Sequence, residues 1–198
     1  MDIQYYFTPV SPWTYLGHAR FCAMARAANA RIELLPVDYG AIFPVSGGLP
    51  LAKRAPQRQA YRLVELKRFS EWLKVPLTLQ PKFFPVDGSA AHRLIVAAQQ
   101  AGGPQAALTL AGAMMKAVWA EERNLAERDT LAALLAENGL AAGLLAESDS
   151  PDVAARYAAN TQRAIEGGVF GAPSWVVDGE MFWGQDRLDF LERRLLKG

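Results

Sequence analysis

Two β-forming ends enclose a long helical middle, and that order restricts the fold more than any other feature of the chain. Residues 3–7 (Ile3-Gln4-Tyr5-Tyr6-Phe7) are mostly β-branched or aromatic and stop at Thr8-Pro9, as a short buried strand does. Ser11-Pro12 then starts a helix, with serine as N-cap and proline at the first helical position. The helix runs through Leu16, Ala19, Ala23 and Arg26 to near Asn29, and residues 31–37 form a second strand. Strand, helix and strand in so short a span make a βαβ unit, so the two strands are parallel. At the far end, Ser174–Val177 and Glu180–Trp183 flank Asp178-Gly179, a strong two-residue hairpin signal. Gly184-Gln185-Asp186 leads from there into an amphipathic helix carrying Leu188, Leu191 and Leu195.

Residues 38–58 hold Gly40, Pro44, Gly47, Gly48, Pro50 and Pro56, which mark a loop. Lys53, Arg54 and Arg58 make that loop basic. From Ala60 to Ala146 the chain is mostly helical. Leu63, Leu66, Phe69 and Leu73 keep helical spacing up to Pro76. Leu108, Ala111, Met115, Val118 and Trp119 keep it later, as do Leu131, Leu134 and Leu135, with Gly139 as C-cap. Ser150-Pro151-Asp152 starts one more helix, which Gly167-Gly168 ends. The sum is an α/β chain in the order β-α-β, helical insert, α-β-β-α. With the insert removed this is the thioredoxin-like arrangement. The expected division is a thioredoxin-like domain from 1–50 and 165–198 and an inserted helical domain at 51–164.

The charge balance, 21 − 20 = +1, gives no basic footprint for nucleic acid. A single cysteine, Cys22, excludes an internal disulfide, a cysteine-rich zinc site and a Cys-x-x-Cys redox pair. His18 and His92 leave little material for a metal cluster. No apolar run reaches the length of a membrane span, and no secretory signal precedes Ile3, so the expected setting is the cytoplasm.

Three places can carry chemistry. The first is the strand-to-helix turn Ser11-Pro12-Trp13-Thr14. A thioredoxin-like fold puts its reactive group there, where free N–H groups and the positive helix end favour an anion. Without cysteine the turn cannot run thiol–disulfide exchange. A hydroxyl remains, either as a plain N-cap or as a donor to a thiolate brought from outside. The second is Gly168-Val169-Phe170-Gly171-Ala172-Pro173-Ser174, where Pro173 is trans at a strand start or cis beside the reactive turn. If cis, it leaves the Ala172 backbone facing a ligand. The third is Gln185-Asp186, which can hold an α-amino acid end, or where Asp186 is only an N-cap beside a solvated Arg187. A serine-hydrolase reading does not fit. His18 lies seven residues beyond Ser11 on one helix, about 10 Å along the axis. No Gly-x-Ser-x-Gly elbow surrounds Ser11. The histidines read as structural or surface residues and Cys22 as a packed thiol.

Taken with Tyr6–Leu16, Ala117-Val118-Trp119 and Phe182–Leu188, these stretches give the chain a resemblance to 2-hydroxychromene-2-carboxylate isomerases, relatives of kappa-class glutathione transferases and DsbA-like proteins. The resemblance implies glutathione as cofactor. Ser11 would hold its sulfur, with Pro12 and Trp13 in the same turn. Ala172 would pair with the cysteinyl part beside cis-Pro173, and Gln185 and Asp186 would hold the γ-glutamyl end. It also implies that Trp119 lines the substrate pocket (helix core being the alternative), a small aromatic substrate from aromatic hydrocarbon catabolism, and a homodimer, with Trp175 or Trp183 partly exposed at the interface or simply core. Two positions depart from the family pattern: Gln185 stands where serine or asparagine is frequent, and no asparagine occurs around Gly48-Leu49-Pro50. Three activities fit: glutathione-dependent isomerisation of 2-hydroxychromene-2-carboxylate, conjugation of glutathione to electrophiles, and thiol or peptide binding without turnover.

Overall fold

Hydrogen bonding along β1 (Asp2–Phe7) organises the molecule, a computed structural model that describes residues 1–196. β1 pairs in parallel with β2 (Arg31–Pro36) after the crossover helix α1 (Pro12–Ala27). On its other side β1 pairs antiparallel with β3 (Ser174–Val177), which turns through Asp178-Gly179 into β4 (Glu180–Trp183). The sheet order is β2-β1-β3-β4. The βαβ unit and the C-terminal hairpin are thus as expected, and the fold is the thioredoxin-like one with helical material inserted.

The segment expected to be a loop at 38–58 is in large part helical. Asp38 accepts from the Gly40 N–H at 2.7 Å and caps α2 (Tyr39–Ser46), which buries Tyr39 and Ile42 and ends at left-handed Gly47 (φ 76°). Pro56 occupies the first position of α3 (Pro56–Leu73), where its missing N–H costs nothing. Gly47 and Pro56 here mark helix boundaries rather than absence of helix, and Pro44 lies inside α2. α4 (Ser89–Trp119) begins well before the residues whose spacing revealed it, and it breaks at Gly103 (φ 73°) before Pro104. Next come α5 (Arg128–Glu137), the single turn α6 (Leu144–Glu147), α7 (Pro151–Glu166) and, after β4, α8 (Leu188–Leu196). No helix among the described residues is long and apolar enough to cross a membrane.

The two faces of the sheet bury different residues. On one face Ile3, Tyr5 and Trp175 join Leu94, Met114 and Trp119 of α4 in a single core. On the other, Tyr6, Leu35 and Val37 meet Tyr39, Ile42 and Ala164. The division drawn at 164/165 falls inside α7, which packs on α2 and β2 and also on α4. Thr161 Oγ1 accepts from the Asp38 N–H at 3.0 Å, and Arg163 pairs with Glu33 at 2.6 Å. The inserted helices continue the first core instead of forming one of their own.

Candidate active site

Tyr6 of β1 is in register with Ser174 of β3. The turn after β1 and the segment before β3 therefore leave the sheet at the same end. Ser11 has extended backbone (φ −87°, ψ 125°), and its Oγ accepts from the Thr14 N–H at 3.3 Å. Acceptance through oxygen leaves the hydroxyl proton free to be donated. The Trp13 N–H makes no hydrogen bond among the described residues, so the helix start retains an unused donor. Thr8 braces this turn. Its carbonyl accepts from the Ser11 N–H at 3.2 Å, and its Oγ1 accepts from the Val10 N–H at 3.4 Å. His92 Nδ1 lies 2.5 Å from the Gly88 carbonyl, an obligate acceptor, so the proton is on Nδ1 and Nε2 accepts from the Thr8 hydroxyl at 2.9 Å. Burial lowers the His92 pKa to about 4 and keeps the ring neutral.

The Ala172-Pro173 peptide is cis. A second cis peptide, Phe84-Pro85, was not anticipated. The Gly171 carbonyl accepts from Tyr39 OH (2.8 Å) and Ser174 Oγ (2.7 Å), and the Pro173 carbonyl accepts from the Gly184 N–H (2.9 Å). Ala172 itself is left out: neither its N–H nor its C=O is engaged by another described residue.

Gln185 is buried, and its Oε1 accepts from Arg20 at 3.3 Å. Arg20 is held in turn by Asp189. This fixes the amide with Nε2 buried and without a partner. Asp186 is not a helix cap. Gly184 (φ 97°) takes the cap position of a short 3-10 turn, and Asp186 pairs with Arg187 at 2.8 Å. Gly17 lets α1 approach this turn, since a Cβ there would stand 2.8 Å from Gln185 Cβ. Gly17→Ala is expected to cost about 1–3 kcal/mol by overpacking. Urea unfolding checks this, and a variant within 0.5 kcal/mol of wild type would show that the approach is not constraining.

A cleft of about 560 Å³ collects Trp13, Ala172, Gln185 and Asp186 on one side and α3 on the other. Ser11, Pro12 and Pro173 are not among its lining residues; Pro12 and Pro173 are buried, and Ser11 is half-buried at the base of the helix that presents Trp13. Trp119 does not reach the cleft. It is fully buried against Phe84, with ring centroids 4.8 Å apart, and Arg62 lies over it at 5.8 Å. Trp175 is fully buried, whereas Trp183 is half exposed and lines the cleft, meeting Phe170 edge-on with ring centroids 4.7 Å apart. His18 is buried, accepting from Tyr5 OH (3.2 Å) through Nδ1 and donating from Nε2 to the Leu108 carbonyl (3.0 Å). Burial pushes the Cys22 thiol up to about 11, which makes it inert near neutral pH. Arg62, Tyr61 and Phe69 of α3 line the cleft without having been singled out as site residues from the sequence. The four-residue spacing of Arg54, Arg58 and Arg62 was the available signal.

Fold and site together define a thioredoxin-fold protein whose first helix starts with a hydroxyl instead of a thiol. Residues 2–196 match the DSBA-like thioredoxin domain. The 2-hydroxychromene-2-carboxylate isomerase of Sphingobium xenophagum is 31% identical over 196 residues, covering 98% of this chain and 97% of that protein. Human glutathione S-transferase kappa 1 is 25% identical over 204 residues, covering 98% and 90%. The solved structure of a 2-hydroxychromene-2-carboxylate isomerase superposes with a TM-score of 0.84 at 25% identity, covering 100% of this chain and 95% of that one. The chain belongs to the DSBA-like thioredoxin domain family and, within it, to the 2-hydroxychromene-2-carboxylate isomerases.

Proposed function

We propose that the protein is a glutathione-dependent cis–trans isomerase that converts 2-hydroxychromene-2-carboxylate to trans-o-hydroxybenzylidenepyruvate. The observation that carries this reading is a hydroxyl-bearing helix start next to an unengaged peptide at a cis-proline, in a chain with no thiol at that corner. The residues fit the tripeptide. Ser11 offers a free O–H and Trp13 an unused N–H to a thiolate. The Ala172 N–H and C=O offer the pair of bonds an extended peptide makes. Gln185, with its orphaned Nε2, and the carboxylate of Asp186 suit the α-carboxylate and α-ammonium of the γ-glutamyl end.

When bound, glutathione would supply a thiolate able to add reversibly to a conjugated carbon, making the double bond single and free to rotate until the carbon–sulfur bond breaks and the double bond re-forms. The chain's part is electrostatic. Hydrogen bonds and the positive helix end favour the charged form of the sulfur and so raise its thiolate fraction near neutral pH. Ser11 acts as a donor throughout and forms no bond to substrate. On the family resemblance we place this activity in the cytoplasm and in a homodimer.

The kappa-type relative supports a second outcome in which glutathione stays attached to an electrophile. Mass spectrometry of products from the wild-type protein with glutathione and 2-hydroxychromene-2-carboxylate separates the two. Isomerisation leaves the substrate mass unchanged, and conjugation adds the mass of glutathione. Tight glutathione binding with no turnover across a panel of electrophiles would overturn both in favour of a binding protein.

A further inference from the structure

The wall of the cleft opposite Ala172 and Gln185 carries guanidinium groups that nothing in the fold neutralises. Arg58 and Arg62 lie one turn apart on α3, and Arg54 precedes the helix on the same side. Neither of the two acids that line the cleft pairs with these arginines: Glu65 bonds Arg68 at 2.6 Å and Asp186 bonds Arg187 at 2.8 Å. Among the described residues none of the three arginines has an acidic partner; the Arg54 guanidinium donates to the Leu49 carbonyl at 2.8 Å. Arg62 is the most enclosed. Its guanidinium sits 5.4 Å over the Phe84 ring and 5.8 Å over Trp119. Burial and the neighbouring Arg54 hold its pKa down to about 10, so its charge is kept at a disadvantage that an incoming anion would remove.

We propose that Arg62, supported by Arg58, anchors the carboxylate of the electrophilic substrate and selects planar aryl carboxylates over neutral electrophiles. The proposal rests on the functional reading above, which gives the tripeptide the opposite wall, with Trp13, Ala172 and Gln185. Next to the arginines the cleft offers ring surface: Trp13 meets Phe69 edge-on at 6.0 Å, and Tyr61 is exposed beside them. A flat aromatic acid can lie against these rings and present its carboxylate to the in-plane N–H groups of Arg62, whose face is taken by Phe84 and Trp119. The fork of donors on arginine suits such a group. Glutathione also carries carboxylates, so the two sources must be told apart.

Chromone-2-carboxylate, an unreactive planar acid, and its carboxamide serve as probes, with binding measured by calorimetry on the full chain at saturating glutathione. Wild type is expected to prefer the carboxylate at least tenfold. Arg62→Met is expected to bring the ratio close to one while the affinity for glutathione, measured alone, changes less than threefold; Arg62→Lys recovers part of the preference. Arg58→Met, at an exposed position whose loss cannot unfold the chain, is expected to lower the ratio severalfold. A wild type that does not discriminate, a preference that survives in Arg62→Met, or a loss that falls on glutathione instead overturns the proposal. These are equilibrium measurements, so failure of the isomerase assay would sink the functional reading and leave the carboxylate preference to stand or fall by itself.

Discussion

Ser11→Ala is expected to lower kcat/KM with glutathione and 2-hydroxychromene-2-carboxylate by about 100- to 1000-fold, the usual loss when one preorganised donor to negative charge is deleted. The same oxygen caps α1 through the Thr14 N–H, so a structural cost of about 1 kcal/mol accompanies it. In a chain of this length that moves Tm by roughly 2–4 °C, leaving the variant folded at assay temperature. The readout that separates donor from cap is the ultraviolet absorbance of bound thiolate. In wild type the bound thiol should titrate well below that of a free cysteine, about 8.5. In Ser11→Ala it should move back toward that value, with glutathione still bound by Ala172, Gln185 and Asp186. Unchanged activity, or an unchanged thiol titration with lower activity, would remove the hydroxyl from the chemistry and leave it only as a cap.

What could be read from the sequence was local. The βαβ unit, the Asp178-Gly179 hairpin and the Ser11-Pro12 and Ser150-Pro151 helix starts are set by residues in contact along the chain, and all appear where expected. Segment 38–58 was misread because proline and glycine punctuate equally well at helix ends and in loops. What decides is the burial of Tyr39 and Ile42 against α7, a contact more than a hundred residues distant. Trp119 illustrates a second limit. Its helical spacing places it on an apolar face but does not say whether a core or a cleft lies opposite; Phe84 and Arg62 close that side. For the site, the resemblance named a turn, a proline and a Gln-Asp pair, and Trp13, Ala172, Gln185 and Asp186 do meet in one cleft. Its second wall stayed hidden, because four-residue spacing of arginines is also what a solvated helix face looks like.

Acidification should unfold this protein well before its exposed carboxylates are protonated. His18 and His92 are both buried at the seam between the sheet and α4. His18 joins Tyr5 to the Leu108 carbonyl, and His92 joins the Gly88 carbonyl to Thr8. Burial lowers both from 6.5 to about 4, against backbone carbonyls that favour the charged ring and, for His92, against the carboxylates Asp38 and Asp87, with Arg93 acting in the same direction as burial. A depressed histidine binds its proton in the unfolded chain first. Stability is therefore full above about pH 6.5 and falls as pH drops toward 4. Each ring contributes on the order of 3 kcal/mol over that window. Two together approach the whole stability of a typical domain, about 5–15 kcal/mol. Urea unfolding between pH 7.5 and 4.5 should show uptake of close to two protons on unfolding near pH 5. His92→Asn, although less stable at pH 7.5, should reduce that uptake to close to one. A stability curve flat from pH 7 to 5, or an uptake unchanged by the substitution, would mean that these rings are already charged or reached by water in the folded state. Because the Thr8–His92 bond braces the turn that carries Ser11, loss of activity on acidification should precede global unfolding, and activity followed beside urea midpoints at each pH would reveal the order.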